Sequence, residues 1–441
     1  MAEIFEEING VEDILKQDPV GVYDKMDYET KVAYRNQIKE LSKKTKISEL
    51  YISKKCLELS IKEYEKINKQ QEGKINKKCH IGYYLLSEGK KNLLEELTGK
   101  KQKKVSTTTK AAYAITALGV ITLLSSVLFS WYLYYQTRQI FWSILLGILL
   151  FIPIEVIWVQ LGQYVLSKFV KPKIIPKLDY IDGVPEESST FVVIPTILSS
   201  KQKVKQLMER LEVYYMANKS DNIYFALLGD VTAGKNEKEL FDEEVIEAGI
   251  KEAKRLNEIY PDNNFPKFHF LYRKRTWNEK EECFLGWERK RGLLNQFNEY
   301  ILGKENDMFL ANTIEEAKNE LLQKQENNFK LTKIKYVITL DADTQLSLNT
   351  GLELIGSMAH ILNTPVLNEK KDLVIDGHGI IQPRVGISLL EIQKSLFTKI
   401  YAGSGGKDAY TNAISDVYQD NFEEGIFTGK GIYDVEIFSQ V

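Results

Sequence analysis

The residues best placed to do chemistry are the two aspartates of Asp341-Ala-Asp343. They close an uncharged run, Tyr336 to Leu340, whose composition predicts a strand buried on both faces. Side chains alternate along an extended chain, so residues two apart point the same way. The two carboxylates are therefore expected side by side at the strand's C-terminal end, where ligands bind in open α/β sheets. Such a pair suits a hard divalent cation, which takes oxygen ligands and bridges to a substrate's phosphates. The ordinary alternative is a strand running into an acidic surface turn, and the tripeptide alone does not decide between them. Asp230 closes a second apolar run, Ile223 to Gly229. Asp376-Gly-His-Gly379 and Ile380-Ile-Gln-Pro-Arg384 set polar side chains after an apolar segment. Gly425–Asp434 mixes glycines with Lys430, which suits close approach of backbone to a ligand, although a plain turn explains any one of those glycines equally well.

The elements that must position these groups begin at Thr190. Phe191–Ile194, Ile223–Gly229 and Phe268–Tyr272 read as buried strands, followed by the one ending at Leu340. Between them, Lys201–Met216, Glu237–Tyr260, Glu288–Leu302 and Ile314–Gln325 read as helices, and Gly351–Leu362 follows as another. Strands alternating with helices predict a mostly parallel sheet with right-handed crossovers. Asp230 and the Asp341/Asp343 pair then fall on one edge of it. Tyr401–Gly406 is a glycine-rich loop without the Gly-Lys-Ser/Thr ending of a phosphate loop.

Upstream, residues 1–104 are lysine-rich and helical in pattern, with Asp27 and Ser48 as candidate caps of successive helices. That surface reads as a solvated face, with contact to anionic lipid as the other reading. Residues 111–166 hold two long apolar runs, Ala111–Tyr135 and Ile140–Leu166, separated by Gln136-Thr-Arg-Gln139. Each is long enough to cross the roughly 30 Å hydrocarbon layer, so a transmembrane helical hairpin is expected. Glu155 in the second run is expected to be structural, tucked against protein. Lysines flank both outer ends while the loop holds only Arg138, which places both flanks in the cytoplasm. Lys171–Lys177 reads as an extended linker. The remaining region, 190–441, is the α/β domain.

Composition excludes little else. The 441 residues carry a net charge of −2, which gives no electrostatic case for nucleic acid. The three cysteines are scattered, which predicts no disulfide framework and a reducing compartment. The four histidines show no metal spacing, and Met1–Glu7 lack the apolar core of a signal peptide.

Longer motifs carry a resemblance. Gly286-Trp-Glu-Arg-Lys-Arg-Gly292, Tyr336–Gln345, Ile381-Gln-Pro-Arg384, Ser415-Asp-Val-Tyr-Gln-Asp420 and Thr428-Gly-Lys-Gly-Ile-Tyr-Asp434 together resemble the glycosyltransferase domain of cyclic β-1,2-glucan synthases, glycosyltransferase family 84. Asp18–Asp27 and His80-Ile-Gly-Tyr-Tyr84 are similar to the segment that precedes that family's first membrane helices. The resemblance implies a GT-A type nucleotide-sugar-binding fold in a multi-pass enzyme of the bacterial inner membrane, its transferase domain cytoplasmic. It implies UDP-glucose as donor, a growing glucan as acceptor, Mg²⁺ or Mn²⁺ as cofactor, and inversion to a β-1,2 linkage. On the matching positions, Asp341 and Asp343 would hold the metal against the diphosphate and Asp230 would meet the uridine. Arg289 and Lys290 would lie near the nucleotide, and Gln382, Arg384 and Lys430 would contact donor or acceptor.

Members of that family are several times longer, and their general base is expected some tens of residues beyond the glycine-rich segment. With the chain ending at Val441, the acids left for that role are Asp416, Asp420, Glu423 and Glu424. The expectation is a donor-binding part of a longer enzyme, poor or inactive in transfer alone. Another processive membrane glycosyltransferase, cellulose-synthase-like, and an inactive transferase-like scaffold are the competing readings.

Overall fold

A computed structural model of the chain describes residues 10–69, 76–99, 107–169, 174–262, 264–304, 307–323, 333–383, 386, 392–393, 395–402 and 427–440. The chain divides into two compact units: residues 1–99, 175–383 and 427–441 form one, and 100–174 with 384–426 the other.

The first unit is built on a seven-stranded sheet. Its parallel centre consists of β1 (Thr190–Ile197), β2 (Ile223–Asp230), β3 (Phe268–Arg273) and β7 (Tyr336–Thr339). β6 (Phe309–Asn312) runs antiparallel at one edge, and β11 (Gly431–Asp434) and β10 (Ile380–Ile381) at the other, giving the order β10-β11-β7-β1-β2-β3-β6. The uninterrupted apolar runs are explained by burial on both faces. Val192, Ile194, Phe225, Leu227 and Phe270 pack with α9 (Lys201–Ala217), α10 (Leu240–Ile259) and α13 (Thr350–Ala359). Their alternates Phe191, Val193, Tyr224, Ala226 and Leu228 pack with α11 (Arg289–Ile301) and α12 (Thr313–Gln323). β4 (Thr276–Asn278) and β5 (Cys283–Leu285) form a hairpin before α11, and β8 (Val366–Leu367) with β9 (Val374–Asp376) another after α13.

The expected strands and helices are present with small shifts of boundary. β6 and β11 leave no signal in the sequence, because each has only four residues, too few to show a period.

The N-terminal helices belong to this same unit. They are α1 (Gly10–Leu15), α2 (Tyr28–Thr45), α3 (Glu49–Lys69), α4 (Ile81–Leu86) and α5 (Gly89–Thr98). Asp27 caps α2 by accepting from Thr30 N at 3.0 Å, and Ser48 Oγ accepts from Tyr51 N at 3.3 Å, as their positions predict. The two N-terminal motifs meet in a buried polar cluster. Asp18 accepts from Ile81 N at 3.1 Å and lies 2.9 Å from His80 Nδ1, while His80 Nε2 lies 2.9 Å from Tyr34 Oη. The end of the expected linker is stitched down: Lys177 N donates to Thr30 Oγ1 at 3.1 Å and Lys177 O accepts from Asp27 N at 3.2 Å.

In the second unit, α6 (Thr107–Thr137) is followed by α7 (Ile140–Leu149) and α8 (Phe151–Phe169). Among the described residues, Thr116–Thr137 is long and apolar enough to cross a membrane. The second apolar run is not one helix. It breaks near Leu150, and Ile140–Leu149 and Phe151–Gly162 meet at a 44° bend, so it counts as a second span only if the pair acts as one. Ser126 Oγ donates to Gly147 O at 2.6 Å and Trp158 Nε1 to Ser125 Oγ at 2.9 Å, so α6 packs closely on both later helices. Glu155 is exposed on α8 rather than tucked against the described helices.

Candidate functional site

β1 pairs with β2 on one side and β7 on the other, so the chain moves outward from β1 and returns to its opposite flank. That reversal makes the C-terminal ends of β1 and β7 the topological switch point, the place where open α/β sheets bind ligands. Asp341 lies there.

The backbone around it differs from the expected extended strand. β7 stops at Thr339, and Thr344 N donates to Asp341 O at 3.0 Å, closing a turn over Asp341-Ala-Asp343. The alternation argument for two parallel carboxylates therefore does not apply: a turn, not a pleat, sets their directions. The turn is held from α9. Tyr214 Oη donates to Thr344 O, and Asn218 Nδ2 reaches Ser347 O at 3.3 Å. Burial, partly offset by Arg210 and reinforced by the charge of Asp343, pushes the Tyr214 hydroxyl up to about 12. Asp343 itself is exposed.

Asp341 is half-buried between two lysines. Lys290 Nζ lies 2.5 Å from Oδ1 and Lys430 Nζ 3.1 Å from Oδ2. Burial alone would raise the carboxyl's pKa, but the Lys290 and Lys430 ammonium groups outweigh it and hold it below the ordinary value. Each lysine has a structural reason to be there. β11 runs antiparallel to β7 with Gly431 opposite Thr339, so the residue before β11, Lys430, arrives just past the end of β7. Lys290 is the second residue of α11, and its Nζ also donates to Gly429 O at 2.7 Å. Gly429 has φ +83°, a left-handed conformation that favours glycine.

The other predicted residues hold this frame. Gln382 Oε1 accepts from both Thr428 N and Thr428 Oγ1 at 2.8 Å, so its carbonyl braces the loop before Lys430. Arg289 is exposed, and its guanidinium reaches Val231 O at 3.3 Å, tying the start of α11 to the end of β2. Arg384 and the base candidates Asp416, Asp420, Glu423 and Glu424 lie outside the described residues.

Asp230 ends β2 on the same sheet edge, two strands from Asp341. It faces protein. Its Oδ1 accepts from Arg273 Nε at 2.6 Å and from Val231 N at 2.7 Å, and both side chains of the pair are buried. Arg273 is a site residue that the sequence reading passed over. Its signal was an arginine at the end of β3, next to the strand that ends in Asp230. Gly286 lies against the pair, where a Cβ would overlap both charged groups.

Among the described residues, no group of three or more His, Cys, Asp or Glu could hold a metal ion. Asp341 and Asp343 offer hard oxygen donors, the kind a divalent cation takes.

A doubly covered, mostly parallel sheet with an acid and two lysines at its switch point makes this an α/β domain of open-sheet type. No family model matches the chain. Over 277 residues, 62% of the chain, it is 37% identical to the cyclic beta-(1,2)-glucan synthase NdvB of Rhizobium meliloti. The match spans 9% of that protein's length. The chain is thus related to a glucan synthase, as its motifs suggest.

Proposed function

We propose that this chain is the donor-binding part of a membrane-bound, inverting glycosyltransferase of GT-A type that takes UDP-glucose and extends a β-1,2-glucan. The observation that carries the reading is Asp341 at the switch point, kept ionised between Lys290 and Lys430. The relation to a glucan synthase supports it. A diphosphate needs positive charge and backbone donors along its oxygens. Lys290 and Lys430 supply two ammonium groups, and the loop at Gly429 brings backbone close to them. Asp341 and Asp343 are the residues that would hold Mg²⁺ or Mn²⁺. A cation bound there would neutralise the charge that develops as the diphosphate leaves. Donor binding would displace the lysines from Asp341 towards the phosphates, exchanging one charge pairing for another without uncovering the acid. The general base is assigned to no described residue, and its candidates Asp416, Asp420, Glu423 and Glu424 lie outside them. We further propose that α6 and the bent pair α7–α8 form a hairpin in the bacterial inner membrane, with the α/β domain on the cytoplasmic side.

The test is calorimetry of UDP-glucose on the wild type and Asp343→Asn, each with and without Mg²⁺ or Mn²⁺. Metal-dependent binding that weakens in Asp343→Asn is expected. Binding indifferent to both the metal and the substitution would overturn the assignment.

A further inference from the structure

We propose that the buried Asp230–Arg273 pair is a positioning device for Lys290, acting through backbone rather than by touching a ligand. The proposal rests on the reading of the Lys290–Asp341 site given above.

Arg273 and Asp230 have side-chain exposures of 1% and 2%, which leaves a ligand no route to either. The guanidinium is spent on protein. Its Nε donates to Asp230, its Nη1 to Trp287 O at 2.9 Å and its Nη2 to Arg289 O at 3.1 Å. Those two carbonyls bracket the strained part of the loop. Glu288 has φ 45° and Arg289 φ 48°, left-handed conformations that cost an ordinary residue roughly 1 kcal/mol or more and persist only where the surroundings over-determine them. The surroundings here are the two forked bonds, with Arg289 Nη1 on Val231 O as a third tie. The next residue is Lys290, whose ammonium bridges Asp341 and Gly429 O.

A buried ion pair is a weak stabiliser, because desolvation offsets most of its attraction. Apolar residues would fill the space as well, but they could not hold two carbonyls at fixed points. Asp230 orients the guanidinium, the guanidinium fixes Trp287 and Arg289, and these deliver Lys290. Gly286 completes the arrangement by letting the loop pass directly over the pair.

Arg273→Lys keeps a positive charge beside Asp230 but removes the fork. The first readout needs no ligand: amide hydrogen exchange across residues 286–292 should rise at least about tenfold, with the rest of the sheet unchanged. The second is UDP-glucose affinity in a double-mutant cycle with Lys290→Met. Arg273→Lys should weaken binding about tenfold, and the double variant should bind no more weakly than Lys290→Met alone. Gly286→Ala, which pushes on the pair without removing it, should reproduce both results and carries the test if Arg273→Lys does not fold.

Unchanged exchange at 286–292 overturns the clamp whatever the site binds. Additive losses in the cycle overturn it too, because Arg273 or Asp230 would then meet the ligand independently of Lys290. A wild type that binds no UDP-glucose defeats the functional reading instead and leaves the clamp to be judged by exchange.

Discussion

Lys430 Nζ lies 3.1 Å from Asp341 Oδ2, although β11 reaches the site from the far end of the described chain. The contact follows from one antiparallel pairing, β11 against β7, which places the residue before Gly431 beside the residue after Leu340. Replacing Lys430 with Met should remove one charge-assisted contact to a bound diphosphate. A contact of that kind contributes about 1.5–3 kcal/mol, or roughly ten- to a hundredfold in affinity. Calorimetric titration of UDP-glucose measures it, and an unchanged Kd would remove Lys430 from the site. Thermal stability should barely move, since the ion pair is partly solvated.

The same geometry sets a pH dependence. The folded pKa of Asp341 is depressed by Lys290 and Lys430 acting against burial, so the pairing is fully present above the unfolded value of about 3.9. It is lost as pH falls through the lower, folded value. The ionised form of Asp341 should therefore persist to the acid side of the ordinary carboxylate range. In Lys430→Met the loss should begin at higher pH, because one of the two stabilising cations is gone. NMR titration of the Asp341 carboxyl carbon reads this directly, and an identical midpoint in the two proteins would refute it.

Much of this domain was legible because its central strands are buried on both faces. Ile223–Gly229 and Tyr336–Leu340 present unbroken apolar runs that only an interior parallel strand requires. The site's acid was legible for the same reason, as it marks where the run stops. What joins the site was hidden. The turn at Asp341 depends on a bond to Thr344 N and on Tyr214 from another element, and neither shows in an Asp-x-Asp tripeptide. The role of Arg273 was hidden too, since its partner Asp230 is 43 residues away. The bend near Leu150 was likewise invisible to a count of apolar residues, which sees length but not direction.

Asp18 should prove a keystone of the N-terminal helices. Its carboxylate serves both Ile81 N and His80 Nδ1, and it also accepts from Val22 N at 3.0 Å. Asp18→Ala strands these buried groups together, at about 1–3 kcal/mol for each left without a partner. The thermal unfolding midpoint of the variant should drop by several degrees, with exchange rising across α4. Donor affinity should be retained, because none of the cluster's bonds involves a residue of the Asp341 site. A midpoint equal to that of the wild type would show that the cluster is dispensable.

His269 gives the domain an acid weakness. It is fully buried on β3, stacked on Phe265 at 5.0 Å, and burial pushes its pKa down to about 3. Its Nε2 donates to Pro266 O at 2.8 Å, and its Nδ1 meets no partner among the described residues. Charging the ring would put a proton on Nδ1 where nothing accepts it. The folded state thus resists a proton that the unfolded chain takes up near pH 6.5. Stability from this group is complete above about pH 6.5 and declines as pH falls towards about 3, by at most about 1.4 kcal/mol per pH unit. His360, also buried and pushed well down by burial and then by His80, adds a second slope of the same sign. His269→Phe keeps the ring and its stacking on Phe265 while abolishing one titration, at a cost of about 1 kcal/mol for the lost bond to Pro266 O. Between about pH 7 and about pH 5, the fall in unfolding midpoint should be roughly half that of the wild type. An equal fall in both proteins would mean that His269 takes up its proton without unfolding the sheet.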